Sequence, residues 1–179
     1  GEESFISKHL TDRFEAVGLQ VENDGYGNLI ATDQRENPFM LSAHMDTVEP
    51  GRGVTPVIKG DRIVSDGTTI LGGDCKAGLT AILEALDSIH EDSVPYIPIE
   101  VICTREEELG LLGARNLDFS MIRSREAIVF DGEGPVSQIT SSSPTYIGFD
   151  VEITGRAAHA GMEPEKGISA IRVAADLIT

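Results

Sequence analysis

The order of apolar segments in this 179-residue chain predicts an α/β fold, with a mixed sheet, mostly parallel at its centre, flanked by helices. Three observations carry this. A continuous apolar run at 39–43, a β-rich run at 97–104 and an apolar run at 127–130 read as strands. Segments with helical spacing alternate with those runs. Residues able to do chemistry fall just after the strands, where open α/β sheets gather their ligand-binding loops.

Each element has its own signal. Ile6, Leu10, Phe14 and Val17 recur at helical spacing over 4–17. Leu19 to Val21 and Leu29 to Ala31 flank the turn-rich Asp24-Gly25-Tyr26-Gly27-Asn28, which predicts a hairpin. Phe39-Met40-Leu41-Ser42-Ala43 is the first buried strand. Val57-Ile58 and Ile63-Val64 flank Lys59-Gly60-Asp61-Arg62, a second hairpin. Over 76–89, Leu79, Ile82, Leu83, Leu86 and Ile89 form a helical stripe. The run 97–104, with Val101, Ile102 and Cys103, is the next strand; a short helix is expected over 110–118, and Ala127-Ile128-Val129-Phe130 as a further buried strand.

Near residue 139 the pattern changes. Thr140-Ser141-Ser142-Ser143-Pro144 signals a loop or linker. Ile147, Phe149, Val151 and Ile153 then alternate with polar residues, predicting a half-solvated strand, and Pro164 opens a helix carrying Ile168, Ile171, Val173 and Leu177. One strand and one helix do not make an independent unit, so 142–179 reads as the opening of a second, α+β domain after a first domain over 1–141.

Fourteen Lys and Arg stand against 30 Asp and Glu, a net charge of −16. Phosphate backbones and anionic membrane surfaces repel such a chain, so neither nucleic acid nor membrane is expected as a partner. No apolar run approaches the roughly 20 residues of a membrane helix. The N-terminal residues lack the pattern of a secretory signal, and Cys75 and Cys103 make no disulfide framework, so the expected compartment is the cytoplasm.

His44 and Asp46 follow the strand 39–43. Asp74 follows Gly72-Gly73 at the head of the helix 76–89. Glu106, Glu107 and Glu108 follow the strand 97–104, and Asp131 follows 127–130. Taken singly, each has a plain structural reading: a surface histidine beside a turn, a helix cap, a solvated helix start, a turn residue. Together they converge on one sheet edge, where carboxylates this dense repel each other unless a cation joins them. One imidazole with Asp and Glu suits zinc, manganese or cobalt.

These stretches resemble the M20 class of metallopeptidases. The matching segments are Ser42-Ala43-His44-Met45-Asp46-Thr47-Val48, Leu71-Gly72-Gly73-Asp74-Cys75-Lys76-Ala77-Gly78, Thr104-Arg105-Glu106-Glu107-Glu108-Leu109-Gly110, Phe130-Asp131-Gly132-Glu133-Gly134 and Gly155-Arg156-Ala157-Ala158-His159-Ala160-Gly161. The last, continued through Glu163-Pro164-Glu165-Lys166-Gly167, is most similar to the peptidase T-like branch.

The resemblance implies a zinc-peptidase-like domain over 1–141 and the start of a lid and dimerisation domain over 142–179. It implies two divalent metals, zinc first and cobalt or manganese next. His44 and Asp131 would bind one metal, Asp74 would bridge both, and Glu108 would bind the second. Glu107 would be the general base, leaving Glu106 as a solvated extra acid. Asp46 would orient His44, and His159 would stabilise the oxyanion, reaching the site of a partner subunit in a homodimer. The implied activity is amide-bond cleavage in small peptides, tripeptide aminopeptidase-like. Alternatives are an N-acyl amino acid deacylase or carboxypeptidase of the same family, a non-catalytic cation-binding module, or a two-metal phosphoesterase.

Two departures stand out. Cys75 occupies a position that is often acidic in the family, and it reads as packing. The family's last metal-binding histidine has no counterpart, since His9 and His90 match no motif, so this chain is expected to be part of a longer enzyme and inactive alone.

Overall fold

The computed structural model describes residues 2–178. The chain divides into two compact units, with the division between Ile139 and Thr140.

The first unit is built on a five-stranded sheet. Helix α1 (Ser4–Ala16) leads into strands β1 (Gln20–Asn23), β2 (Leu29–Thr32) and β3 (Phe39–His44). A separate antiparallel hairpin follows, β4 (Pro56–Lys59) with β5 (Arg62–Ser65). Then come α2 (Gly73–Glu91), β6 (Ile99–Thr104), the single turn α3 (Leu112–Arg115) and β7 (Ala127–Val129). The sheet order is β1-β2-β6-β3-β7. β1, β2 and β6 pair antiparallel, whereas β6, β3 and β7 run parallel. The mixed, parallel-centred α/β sheet expected from the sequence is what forms.

One face of the sheet makes the core. Leu29 and Ala31 of β2, Val101 and Cys103 of β6 and Ala43 of β3 alternate onto that face. Leu10 and Phe14 of α1 and Leu79, Ile82 and Leu86 of α2 pack against them. An ion pair between Arg13 and Asp87 joins the two helices at the rim. The opposite face is sealed at Glu100, which is fully buried in β6; its carboxylate accepts from the amides of Arg123 and Ser124 and from the Ser124 hydroxyl. An unpaired carboxylate there would be costly, and these donors compensate it.

Several expectations need correction. β7 is exposed along its length rather than buried, because it is the edge strand and no described element covers it. The helix expected over 110–118 is helical only at Leu112–Arg115; Asp118 then caps a separate 3-10 turn, Phe119–Met121, through the Ser120 amide.

In the second unit, the alternating residues 147–153 form no strand. Alternation prepares a strand to be half-buried, but a ladder needs a neighbour, and the one β contact among the unit's described residues is the bridge between Arg156 and Ile168. Pro164 opens a 3-10 turn, Pro164–Lys166, that Gly167 ends in extended conformation. The helix α4 (Ala170–Ile178) begins later, and the Ser169 hydroxyl accepts from the Arg172 amide at its start.

Candidate metal centre

Parallel pairing gathers the chemistry at one edge of the sheet. His44, the last residue of β3, lies beside Thr104, the last of β6, so the loop carrying Glu106 to Glu108 leaves next to the imidazole. β7 pairs with β3 through Ser42 and Val129, which brings Asp131 to the same edge. The backbone at Asp74 and Cys75 is non-helical, so the regular part of α2 starts at Lys76 with Asp74 standing clear of it. Gly78 lets α2 approach the end of β7: a Cβ there would lie 2.1 Å from the Phe130 carbonyl oxygen.

The His44 side chain is 1 % exposed and its two nitrogens face different ways. Nδ1 lies 3.1 Å from the Asp46 carbonyl and 3.3 Å from Asp46 Oδ1. With a proton held there, Nε2 is the nitrogen that faces the cluster. Nε2 is 2.9 Å from Asp74 Oδ1, 3.5 Å from Asp131 Oδ1 and 4.0 Å from Glu107 Oε2. Two sets of side chains each bring one ligand atom per residue within 4.8 Å of one another: His44, Asp74, Cys75 and Asp131, and His44, Glu107 and Glu108. The Asp46 carboxylate accepts the main-chain N–H groups of Glu107 and Glu108, at 2.9 and 3.1 Å. Lys76 Nζ donates to the Asp46 carbonyl at 2.9 Å.

The charges crowd. Burial, with the Asp131, Glu108 and Asp46 carboxylates behind it, pushes the Glu107 carboxyl above its ordinary value, against the pull of His44. Burial and the contact with Asp74 raise Asp131 likewise. Burial pulls His44 down, but the hydrogen bond with Asp74 and the nearby Asp131, Asp46 and Glu107 outweigh it, and its pKa rises. Burial lifts the Cys75 thiol to about 11, and its Sγ–H donates to the Phe130 carbonyl at 2.7 Å. With the thiol turned to the Phe130 carbonyl, the remaining donors are one imidazole nitrogen and carboxylate oxygens. Those donors fit a divalent cation of borderline hardness, which would relieve the repulsion that adds to burial at Glu107 and Asp131.

Of the residues singled out in the sequence, His44, Asp46, Asp74, Glu107, Glu108 and Asp131 meet here. His159 belongs to the second unit, where its Nδ1 accepts from the amides of Gly161 and Met162, leaving the ring proton on Nε2. Glu106 is not the solvated acid expected: it accepts from the Tyr26 hydroxyl and pairs with Arg105 at 3.3 Å, with its side chain 16 % exposed. The sequence places Lys76 beside the motifs, whereas Asn28 and Tyr26 read only as turn residues. The two turn residues carry no signal beyond their turn.

A sequence model of peptidase family M20/M25/M40 matches residues 40–178. The chain belongs to that family. Peptidases of the M20 family are metal-dependent, in keeping with the donor set at this sheet edge. An uncharacterized protein of Bacillus subtilis, YqjE, is 42% identical over 99% of this chain and 51% of its own length. The crystal structure of aminopeptidase PepT from Bacillus cereus is similar to 98% of this chain with a TM-score of 0.75 and 39% identity, and 50% of that chain is covered. A tripeptidase structure from Staphylococcus aureus gives a TM-score of 0.76 at 32% identity over 98% of this chain and 50% of its own. The chain thus spans about half the length of the M20 relatives it matches.

Proposed function

We propose that the full-length protein is a two-metal peptidase of small peptides, cleaving tripeptides as an aminopeptidase. The observation that carries this is the cluster of His44, Asp74 and Asp131 with the carboxyl of Glu107, raised above its ordinary value, beside it. The likeness to an aminopeptidase PepT and a tripeptidase supports the substrate class.

In this reading His44 and Asp131 would hold one metal and Glu108 the second, with Asp74 serving both; zinc is the first candidate, with cobalt or manganese next. When bound, the metals supply Lewis acidity that makes water a nucleophile near neutral pH. Glu107 takes the water's proton and passes it to the leaving amine, a task suited to a carboxyl whose pKa is raised. Asp46 holds His44 in the tautomer that presents Nε2 and holds the loop of Glu107 and Glu108 by its amides. His159 donates from Nε2 to the developing oxyanion, a contribution of about 3 kcal/mol for such a donor. Residues 1–141 act as the catalytic domain, and 142–179 begin a lid through which two copies pair. Free, buried Cys75 and Cys103 suit a cytoplasmic setting, and no described helix is long and apolar enough to cross a membrane.

The test is hydrolysis of a tripeptide by the full-length protein supplied with zinc, beside Glu107→Gln. A loss of about 10²–10⁴ in kcat is expected for a missing base, and equal turnover removes Glu107 from that role. Mixing a His159→Ala chain with a Glu107→Gln chain restores part of the activity if the histidine acts across a dimer.

A further inference from the structure

The loop that carries Glu107 and Glu108 is held from a direction the metal cluster does not explain. Its backbone is unusual: Glu106, Gly110 and Leu111 all have positive φ, at 52°, 87° and 63°. Two of these are not glycine, and such conformations persist only where the surroundings over-determine them. The surroundings here are the turn between β1 and β2.

Asn28 in that turn is fully buried. Its Oδ1 accepts the Arg105 amide at 3.1 Å, and its Nδ2 donates to the Gly113 carbonyl at 3.0 Å. One side chain so ties the two ends of the loop. Asp24 orients that amide group by accepting from Nδ2 at 2.7 Å, and it also accepts from the backbone amides of Tyr26, Gly27 and Asn28. Tyr26 adds a third hold, its hydroxyl donating to the Glu106 carboxylate one residue before Glu107. Arg105 closes the circuit, with Nη1 donating to the Tyr26 carbonyl at 3.2 Å. Gly113 is needed for the fit, because a Cβ there would lie 2.6 Å from Asn28 Oδ1 and 2.1 Å from the Arg105 carbonyl oxygen.

We propose that Tyr26 and Asn28 are positioning residues of the catalytic step: the β1–β2 turn clamps residues 105–113 so that Glu107 and Glu108 face the cluster at His44. This rests on the reading of Glu107 as base. Asp46 grips the amides of Glu107 and Glu108 from the His44 side, and the turn grips Arg105, Glu106 and Gly113 from the other. The acidic pair is fixed between two sets of hydrogen bonds, and neither set uses its carboxylates.

The experiment is a double-mutant cycle on the full-length, zinc-loaded protein with a tripeptide substrate. Tyr26→Phe removes only the hydroxyl. It is expected to lower kcat about tenfold with KM little changed, since small misplacements of a catalytic group are costly. In the Glu107→Gln background the same substitution is expected to cause no further loss, because its effect travels through Glu107. A kcat unchanged by Tyr26→Phe, or an equal loss in both backgrounds, overturns the clamp. Full activity of Glu107→Gln instead overturns the base assignment, and the clamp's catalytic role with it. Asn28→Ala is expected to lower kcat in the same way where it folds; Tyr26→Phe decides the matter where it does not.

Discussion

The Asp46 carboxylate accepts the main-chain N–H of Glu107 at 2.9 Å, while its own main-chain carbonyl faces His44 Nδ1 at 3.1 Å. One residue so fixes both the imidazole and the acidic loop. Asp46→Ala is expected to weaken metal binding by about 10–100-fold, the usual scale for a lost outer partner of a ligand. Competition against a chromogenic chelator reads this directly. An unaltered affinity would mean that the ligands hold their places without it.

Close packing at Gly78 makes a second prediction. Gly78→Ala places a methyl 2.1 Å from the Phe130 carbonyl oxygen, so α2 and the end of β7 must part. Overpacking of this kind costs about 1–3 kcal/mol. Urea unfolding should show the lower midpoint, and because Asp131 follows Phe130, metal affinity should fall as well.

Acid stability depends on Asp24. Burial works to raise its pKa, but the hydrogen bonds from the Asn28 side chain and from the amides of Asn28, Gly27 and Asp118 outweigh that and hold it below the ordinary value. The folded form then binds its proton at lower pH than the unfolded chain does. Its stabilising contribution is complete above the unfolded pKa of about 4 and is lost as pH falls through the depressed folded value. Asp24→Asn is expected to be less stable at pH 6 and to lose less on going to pH 3. Urea melts at the two pH values test this; parallel losses in the two proteins would remove Asp24 as the source.

Metal removal supplies a fourth prediction. A cation that binds only the folded chain stabilises it by about 4 kcal/mol at a thousandfold excess over Kd. Chelation is expected to lower the melting temperature of the full-length protein, and zinc to restore it. Asp131→Asn should blunt that response. Identical melting with and without zinc would argue against a metal centre at this cluster.

What was legible in the sequence followed local pattern. The stripe of Leu79, Ile82 and Leu86 and the run through Val101 and Cys103 identify elements buried by their own composition, and these form as expected. The convergence of His44, Asp74, Glu107 and Asp131 was readable because parallel strands send their following loops to one edge. Failures came where a neighbour decides the outcome. Ile128 and Val129 look like core, yet β7 is an edge strand, and Ile147 to Ile153 alternate but pair with no strand among the described residues of their unit. Asn28 and Tyr26 escaped notice because their partners lie about eighty positions away, at Arg105, Glu106 and Gly113. No local signal reports a bond of that span.

The parallel pairing of β6, β3 and β7 also sets an order in time. His44, Asp74, Glu107 and Asp131 arrive on four separate segments, and no single hairpin contains two of them. Such pairings close long loops and form slowly compared with local turns. The four are therefore all in place only once β6, β3 and β7 have paired. A cation that needs ligands from all four segments is then expected to stabilise the closed sheet without speeding its closure, so refolding rates measured with and without zinc should agree.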